Sequence, residues 1–327
     1  MHVLIIGGAG YIGSHVAREF LDQGHRVTVF DNLSSGRREN LFPEAAFVEG
    51  DIRVASDIER AFADSARYDG AVHLAALKAA GVSMTDPGSF ATTNLSGTIN
   101  VLNALVQHGV PRLVFSSSAA VYGEPKHVPM DETHPTEPEN FYGYTKLEIE
   151  GLMAWYDRLK GLRFTALRYF NAAGYDVNGR ITGLEKGVTN LVPVLMEVAA
   201  GLRDGVQVFG TDYDTPDGSC VRDYIHVNDL ATAHVQSMDH MVTTDASHVF
   251  NVGTGSGASV LEMLATTRRV TGREVPATMV DRRPGDPSMV YASSEKIHAA
   301  FGWAPQNSDM STILDSTWNA YQVHHGS

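Results

Sequence analysis

Val3-Leu4-Ile5-Ile6-Gly7-Gly8-Ala9-Gly10-Tyr11-Ile12-Gly13 is the stretch from which the rest of the chain can be read. An apolar, largely β-branched run that ends in glycines reads as a buried strand entering a tight turn. Tyr11 to Gln23 then reads as a helix. The glycines fit both G-x-G-x-x-G (Gly8, Gly10, Gly13) and G-x-x-G-x-x-G (Gly7, Gly10, Gly13). Such spacing gives a tight turn, lets backbone approach a pyrophosphate, and packs helix closely on strand. The anion rests on the helix N-terminus, which Tyr11 and Ile12 open. Asp31 follows the next strand, Arg26 to Phe30, where a carboxylate accepts hydrogen bonds from ribose hydroxyls and repels a 2′-phosphate. The expected ligand is NAD rather than NADP, with Arg37-Arg38 read as a solvated loop.

The alternation continues outward from this stretch. Ala46 to Val48, Ala71 to Leu74, Leu113 to Ser116 and Phe164 to Arg168 supply further short strands. Ala91, Leu95, Ile99, Leu102 and Val106 recur at helical spacing, as do Leu147, Met153 and Tyr156. Strands alternating with helices predict a Rossmann-type, doubly wound parallel α/β sheet covered on both faces. Glycine and proline become denser after Asn171, which places a domain change there. Val221 to Met238 reads as a strand and helix returning to the first domain. The expected division is therefore 1–171 plus about 221–250 for dinucleotide, and about 172–220 plus 251–327 for a smaller, discontinuous α/β substrate domain.

Composition narrows the class. The 327 residues carry 25 Lys+Arg against 38 Asp+Glu, a formal net charge of −13. That charge argues against nucleic acid and anionic membrane as partners, and requires any anionic ligand to find a local basic pocket. No apolar run is long enough for a span, and Leu191 to Leu202 reads as a buried helix. The lone Cys220 has no disulfide partner, which suits a reducing cytoplasm. The 14 histidines are scattered, so no metal is expected.

Tyr142-Gly143-Tyr144-Thr145-Lys146 opens a helix and places Tyr142 and Lys146 on one face at i and i+4. A phenol with pKa near 10 is a poor base at neutral pH; an ammonium one turn away is expected to favour the phenolate. Ser116-Ser117-Ser118 ends a parallel strand, the edge where open α/β sheets bind ligands, so a serine there can hydrogen-bond the reacting oxygen.

These residues resemble the extended short-chain dehydrogenase/reductase superfamily: the glycine loop, Asp31-Asn32-Leu33, Ser116 to Gly123 and Tyr142-x-x-x-Lys146. Gly50-Asp51-Ile52-Arg53, Leu77-Lys78-Ala79, Arg168-Tyr169-Phe170-Asn171, Asn190-Leu191-Val192-Pro193 and Gly218 to Val227 narrow the resemblance to the UDP-glucose 4-epimerase family, from Val3 to about Trp303. The resemblance implies inversion of a sugar C4 through transient oxidation by tightly held NAD. Tyr142 would act as base, aided by Ser118, with Lys146 on the tyrosine and the nicotinamide ribose. It also implies cofactor contacts from Asn32, Asp51, Ile52, Leu74, Ala75, Lys78, Asn94, Ser116 and Tyr169. On the UDP-sugar it implies Lys78, Asn171, Asn190, Leu191, Phe209 beside uracil, Arg222 and Arg283 on the diphosphate, Asp286 on ribose, and Val290 beside the sugar. A homodimer through the helices near Leu95–Val106 and Leu147–Tyr156 is implied in the same way.

Phe141, Thr145 and Ala172-Ala173 depart from the family pattern, and the loop 176–189 is idiosyncratic. A 4,6-dehydratase would need an acidic group after the strand-end serine, where Ala119-Ala120 stand. A uronate 4-epimerase would differ only around C6. A non-enzymatic dinucleotide-binding protein would have no need of Ser118, Tyr142 and Lys146 together.

Overall fold

The computed structural model describes residues 1–185, 187–283 and 285–325. Lys186 in the 176–189 loop, Pro284 beside Arg283, and Gly326-Ser327 lie outside the described residues. Six strands follow the predicted pattern: β1 (His2–Ile6), β2 (Arg26–Asp31), β3 (Ala46–Glu49), β4 (Gly70–His73), β5 (Arg112–Ser118) and β6 (Arg163–Tyr169). With a seventh strand, His248–Val252, they form one sheet in the order seventh-β6-β5-β4-β1-β2-β3. The pairings from β3 through to β6 are all parallel. In this doubly wound order the winding reverses between β1 and β4, and a crevice opens at the carboxyl ends of those two strands.

The two periods seen in the sequence meet in one core. Leu4, Ile6, Leu113, Phe115, Phe164 and Ala166 alternate along strands and pack against Val101, Leu102, Leu105, Ile149 and Met153 at helical spacing. Burial of each large side chain contributes about 1.5–3 kcal/mol. The helix Phe141–Lys160 starts where Asn140 Oδ1 accepts the Gly143 N–H at 2.9 Å, and stops at left-handed Gly161. Ile99, expected on an apolar face, is 36% exposed. Its stretch divides into a wider turn, Ala91–Ser96, and the helix Gly97–Gln107.

The chain divides into two compact units: Met1–Glu124, Glu132–Tyr169 and Ala231–Asn251 form the first, and Pro125–Asp131, Phe170–Leu230 and Val252–Ser327 the second. The expected return of 221–230 to the first domain is corrected by strand pairing. Val221–Arg222 lies between Ala258–Ser259 and Met289–Val290, and Tyr224–His226 pairs with Asn171–Ala173, all within the second unit. Pro125–Asp131 also belongs there, since Met130 N–H donates to Tyr291 O and its carbonyl accepts from Ser293. The expected buried helix at 191–202 spans Leu191–Ala199. No described helix is long and apolar enough to cross a membrane.

Candidate active site

The glycine loop leaves β1 at Gly7, whose φ of +86° a side chain rarely adopts. A Cβ on Gly7 would lie 2.6 Å from Ala75 N, in the chain leaving β4, and one on Gly13 would lie 2.1 Å from Gly7 O. The loop therefore closes only with glycine at these positions. Gly10 is the N-cap of the helix Tyr11–Asp22; no side chain caps that helix and no acidic residue sits in its first turn. An uncapped N-terminus at the β1/β4 reversal is the cradle a pyrophosphate needs, so the residues present fit NAD. Leu74 and Ala75 donate their N–H groups to Ile6 O at 2.8 and 3.1 Å, which ties the β4 exit to β1.

Asp31 is buried and accepts the N–H groups of Ala9 at 3.0 Å and Leu33 at 2.7 Å, so it braces the loop it was expected to complement. Burial raises its carboxyl pKa, and the two N–H bonds oppose that rise. Asn32 Nδ2 donates to Asp51 at 2.9 Å, and Arg53 forks onto Asp51, holding that carboxyl well below the usual range. Ile52 is buried beneath. Arg37 pairs with Glu39, and exposed Arg38 with Glu49, as solvated loop cations do.

Ser118 ends β5, and its Oγ accepts the Ala120 N–H at 3.1 Å, leaving the hydroxyl proton to donate. The Ser118 hydroxyl lies near enough to Tyr142 to favour its phenolate. The close approach is made by Gly143: a Cβ there would lie 2.2 Å from Ala120 O. Tyr142 N–H donates to Ser83 Oγ at 3.0 Å, a partner that no local pattern marks. Lys146 is buried; its Nζ donates to Ser116 O at 2.6 Å and lies 5.8 Å from the centre of the Tyr142 ring. Ser116 Oγ and the Tyr169 hydroxyl hydrogen-bond each other.

Burial raises the Tyr142 phenol, and the neighbouring Ser118 opposes the rise. Burial also lowers the ammonium of Lys146 to about 7, with Glu150 opposing. The reason is shared desolvation: one dry site penalises both charged forms.

Asn94 is wholly buried. Its Oδ1 accepts Leu77 N–H at 2.8 Å, and its Nδ2 donates to Leu77 O at 3.0 Å and Thr145 Oγ1 at 3.1 Å. Its expected cofactor role is thus joined by a bracing one, and Thr145 is the departure from family pattern that completes the brace. Exposed Lys78 follows Leu77 on the braced loop.

In the second unit, Arg222 donates to Val221 O at 2.7 Å, to Pro287 O at 2.8 Å and to Asp286, so two expected nucleotide contacts pair with each other. The Arg283 guanidinium lies 3.7 Å over the Phe209 ring. Asn171 donates through N and Nδ2 to Asp223 O, each at 3.0 Å, while Asp223 N–H donates to Val290 O at 3.0 Å. Asp223 therefore holds Asn171 and Val290 together, a role missed in the sequence. Asn190 is the N-cap of the helix Leu191–Ala199, and its side chain makes no capping hydrogen bond. Among the described residues no group of His, Cys, Asp or Glu gathers to hold a metal.

Residues 3–253 match the model of the NAD dependent epimerase/dehydratase family. The chain belongs to this family. Among family relatives, the UDP-glucose 4-epimerase of Lacticaseibacillus casei is 45% identical over 324 residues, 99% of this chain and 98% of that protein. A crystal structure of a UDP-glucose 4-epimerase superposes with a TM-score of 0.97 at 38% identity, covering 100% of this chain and 99% of the other. The UDP-glucose 4-epimerase of Brucella ovis, solved in complex with NAD, gives 0.94 at 40% identity over 97% and 98% of the two chains. This epimerase-family chain thus matches its relatives over almost its whole length, including the stretch beyond residue 253.

Proposed function

We propose that this protein inverts C4 of a UDP-hexose, interconverting UDP-galactose and UDP-glucose, and retains NAD throughout. The observation that supports the reading is Ser118 at the end of β5 beside Tyr142, with buried Lys146 one helical turn away and its Nζ 5.8 Å from the centre of the Tyr142 ring. When bound, NAD supplies the acceptor and then the donor of the C4 hydride. Tyr142 Oη takes the proton of the sugar 4-hydroxyl during oxidation and returns it to the C4 oxygen during reduction. Ser118 Oγ bridges the two oxygens, and the Lys146 ammonium stabilises the phenolate that Tyr142 passes through. Ala119 and Ala120 form the turn after Ser118 and carry no group able to move a second proton, which favours epimerisation over dehydration. Arg222, Arg283, Phe209, Asn171, Asn190, Leu191 and Asp286 are assigned to the UDP end. Lys78, with Asn32, Asp51, Ile52 and Tyr169, is assigned to the cofactor.

The test is incubation with UDP-galactose and no added reductant, followed by separation of the sugar nucleotides. UDP-glucose should form without NADH accumulating, and denatured protein should release NAD or NADH. Steady NADH release matching product would mean a net dehydrogenase instead.

Val290 extends the reading to N-acetylated sugars. It is half-buried in the short strand Met289–Val290, and a small side chain there leaves room at the sugar C2. Turnover of UDP-GalNAc to UDP-GlcNAc follows, and Val290→Tyr should suppress that pair while sparing the unacetylated one. Relative kcat/KM for both pairs decides it, and absence of UDP-GalNAc turnover by the unmodified enzyme overturns it. A cytoplasmic setting and a homodimer complete the proposal. The buried, free Cys220 agrees with the first, and the exposed apolar pair Trp155 and Leu159 with the second.

A further inference from the structure

A second charged group lies directly behind the reacting residues. Glu150 follows Lys146 by four residues on the helix Phe141–Lys160, so both point from the same face, and both are buried. Arg168 on β6 holds Glu150 in a fork, Nε to Oε1 at 3.0 Å and Nη2 to Oε2 at 2.6 Å. Ser117 Oγ donates to the same Oε1. Arg168 Nη1 donates to the Tyr122 hydroxyl at 3.0 Å, and that hydroxyl donates to Asn251 Oδ1 at 2.6 Å. Ser117 and Arg168 are partners in the β5–β6 register, one residue before Ser118 and Tyr169 respectively.

A buried ion pair is a weak source of stability, because desolvation offsets most of its attraction. Its placement is more informative. Lys146 interacts with Tyr142 and Glu150 on its own helix and with His73 on β4, while Arg168 and Tyr169 of β6 pack on Glu150 and on Ser116 respectively. His73 is neutral above pH 3, since burial lowers its imidazole to about 3. Tyr142 and Tyr169 are neutral phenols, raised by burial. Glu150 is thus the one anion among these groups, and Arg168 is a second cation beside it.

We propose that Glu150, fixed by Arg168 and Ser117, is a positioning residue that keeps Lys146 protonated in the working pH range and aims its ammonium at the Ser116 carbonyl. The proposal rests on the catalytic reading of Tyr142 and Lys146 given above. Glu150→Gln keeps the shape and most hydrogen bonds but removes the charge, leaving Arg168 as an uncompensated cation. The Lys146 ammonium then loses its proton at lower pH, so the alkaline limb of kcat falls by about one pH unit or more.

The experiment uses the NAD-loaded protein and two readouts. The first is the kcat–pH profile with UDP-galactose for the unmodified enzyme, Glu150→Gln and Glu150→Asp. The second is an NMR titration of the labelled Lys146 side chain, identified by its loss in Lys146→Arg. The expected result is a downward shift of both the kinetic limb and the Lys146 titration in Glu150→Gln, with return toward the original values in Glu150→Asp. A uniform loss of kcat with neither pH value moved would show a merely structural role and overturn the proposal. Where Glu150→Gln fails to fold, Arg168→Gln keeps the Glu150 charge and removes the neighbouring cation; Lys146 should then titrate higher, and an unmoved or lowered titration overturns the proposal. Lack of any epimerase turnover in the unmodified enzyme would defeat the catalytic reading, while the titration would still decide the role of Glu150.

Discussion

Tyr142 and Lys146 are legible from a five-residue pattern because a helix brings i and i+4 together wherever it forms. Their charge states are not. The same burial that raises Tyr142 lowers Lys146, and no local spacing encodes how dry the site is. Tyr142→Phe removes the oxygen that holds the proton and leaves the ring in place. Turnover should fall by about 10²–10⁴-fold or more, while NAD retention and unfolding midpoint stay near those of the parent. A variant that binds NAD and keeps most of its kcat would remove Tyr142 from the mechanism.

Two glycines show how elements are brought to the site. Gly7 ends β1 with a left-handed φ and nearly touches Ala75 backbone, whereas Gly143 lets the Tyr142 helix approach the turn after β5. Gly7→Ala adds backbone strain of about 1–2 kcal/mol and a clash that only loop movement relieves. NAD affinity should drop by at least about tenfold in a calorimetric titration. Gly143→Ala should instead displace Tyr142 from Ser118 and lower kcat by about 10² while NAD affinity is kept. The glycine pattern before the first helix was readable from sequence, since strand, turn and helix are contiguous. The need for Gly143 was not, because its neighbour, Ala120, belongs to another element.

Buried titratable groups tie the whole molecule to pH. His73 is buried and its imidazole is lowered to about 3, so the fold refuses a proton that the unfolded chain accepts below about 6.5. Above that pH neither state is charged and the term vanishes. As pH falls from 6.5 towards 3, stability is lost at up to about 1.4 kcal/mol per pH unit. Asp223, raised by burial to about 6, acts in the opposite sense below that value. Urea unfolding of His73→Gln against the parent isolates the histidine; the variant should have a shallower acid slope between pH 6.5 and 4. At the surface, Trp155 and Leu159 are 56% and 66% exposed one turn apart on the helix Phe141–Lys160. Under the homodimer reading, light scattering should give twice the chain mass, and Trp155→Glu should halve it with secondary structure intact. An unchanged dimer would move the interface elsewhere. Local pattern in the sequence was enough for the parallel sheet, the glycine loop and the Tyr142–Lys146 pair, because strand period, helix period and turn chemistry act between near neighbours. The unit boundaries followed from pairings such as Tyr224 with Asn171. The braces at Asn94 and Asp223 and the Glu150–Arg168 fork likewise depend on packing between distant segments, where burial sets which charges survive and which hydrogen bonds are obligatory.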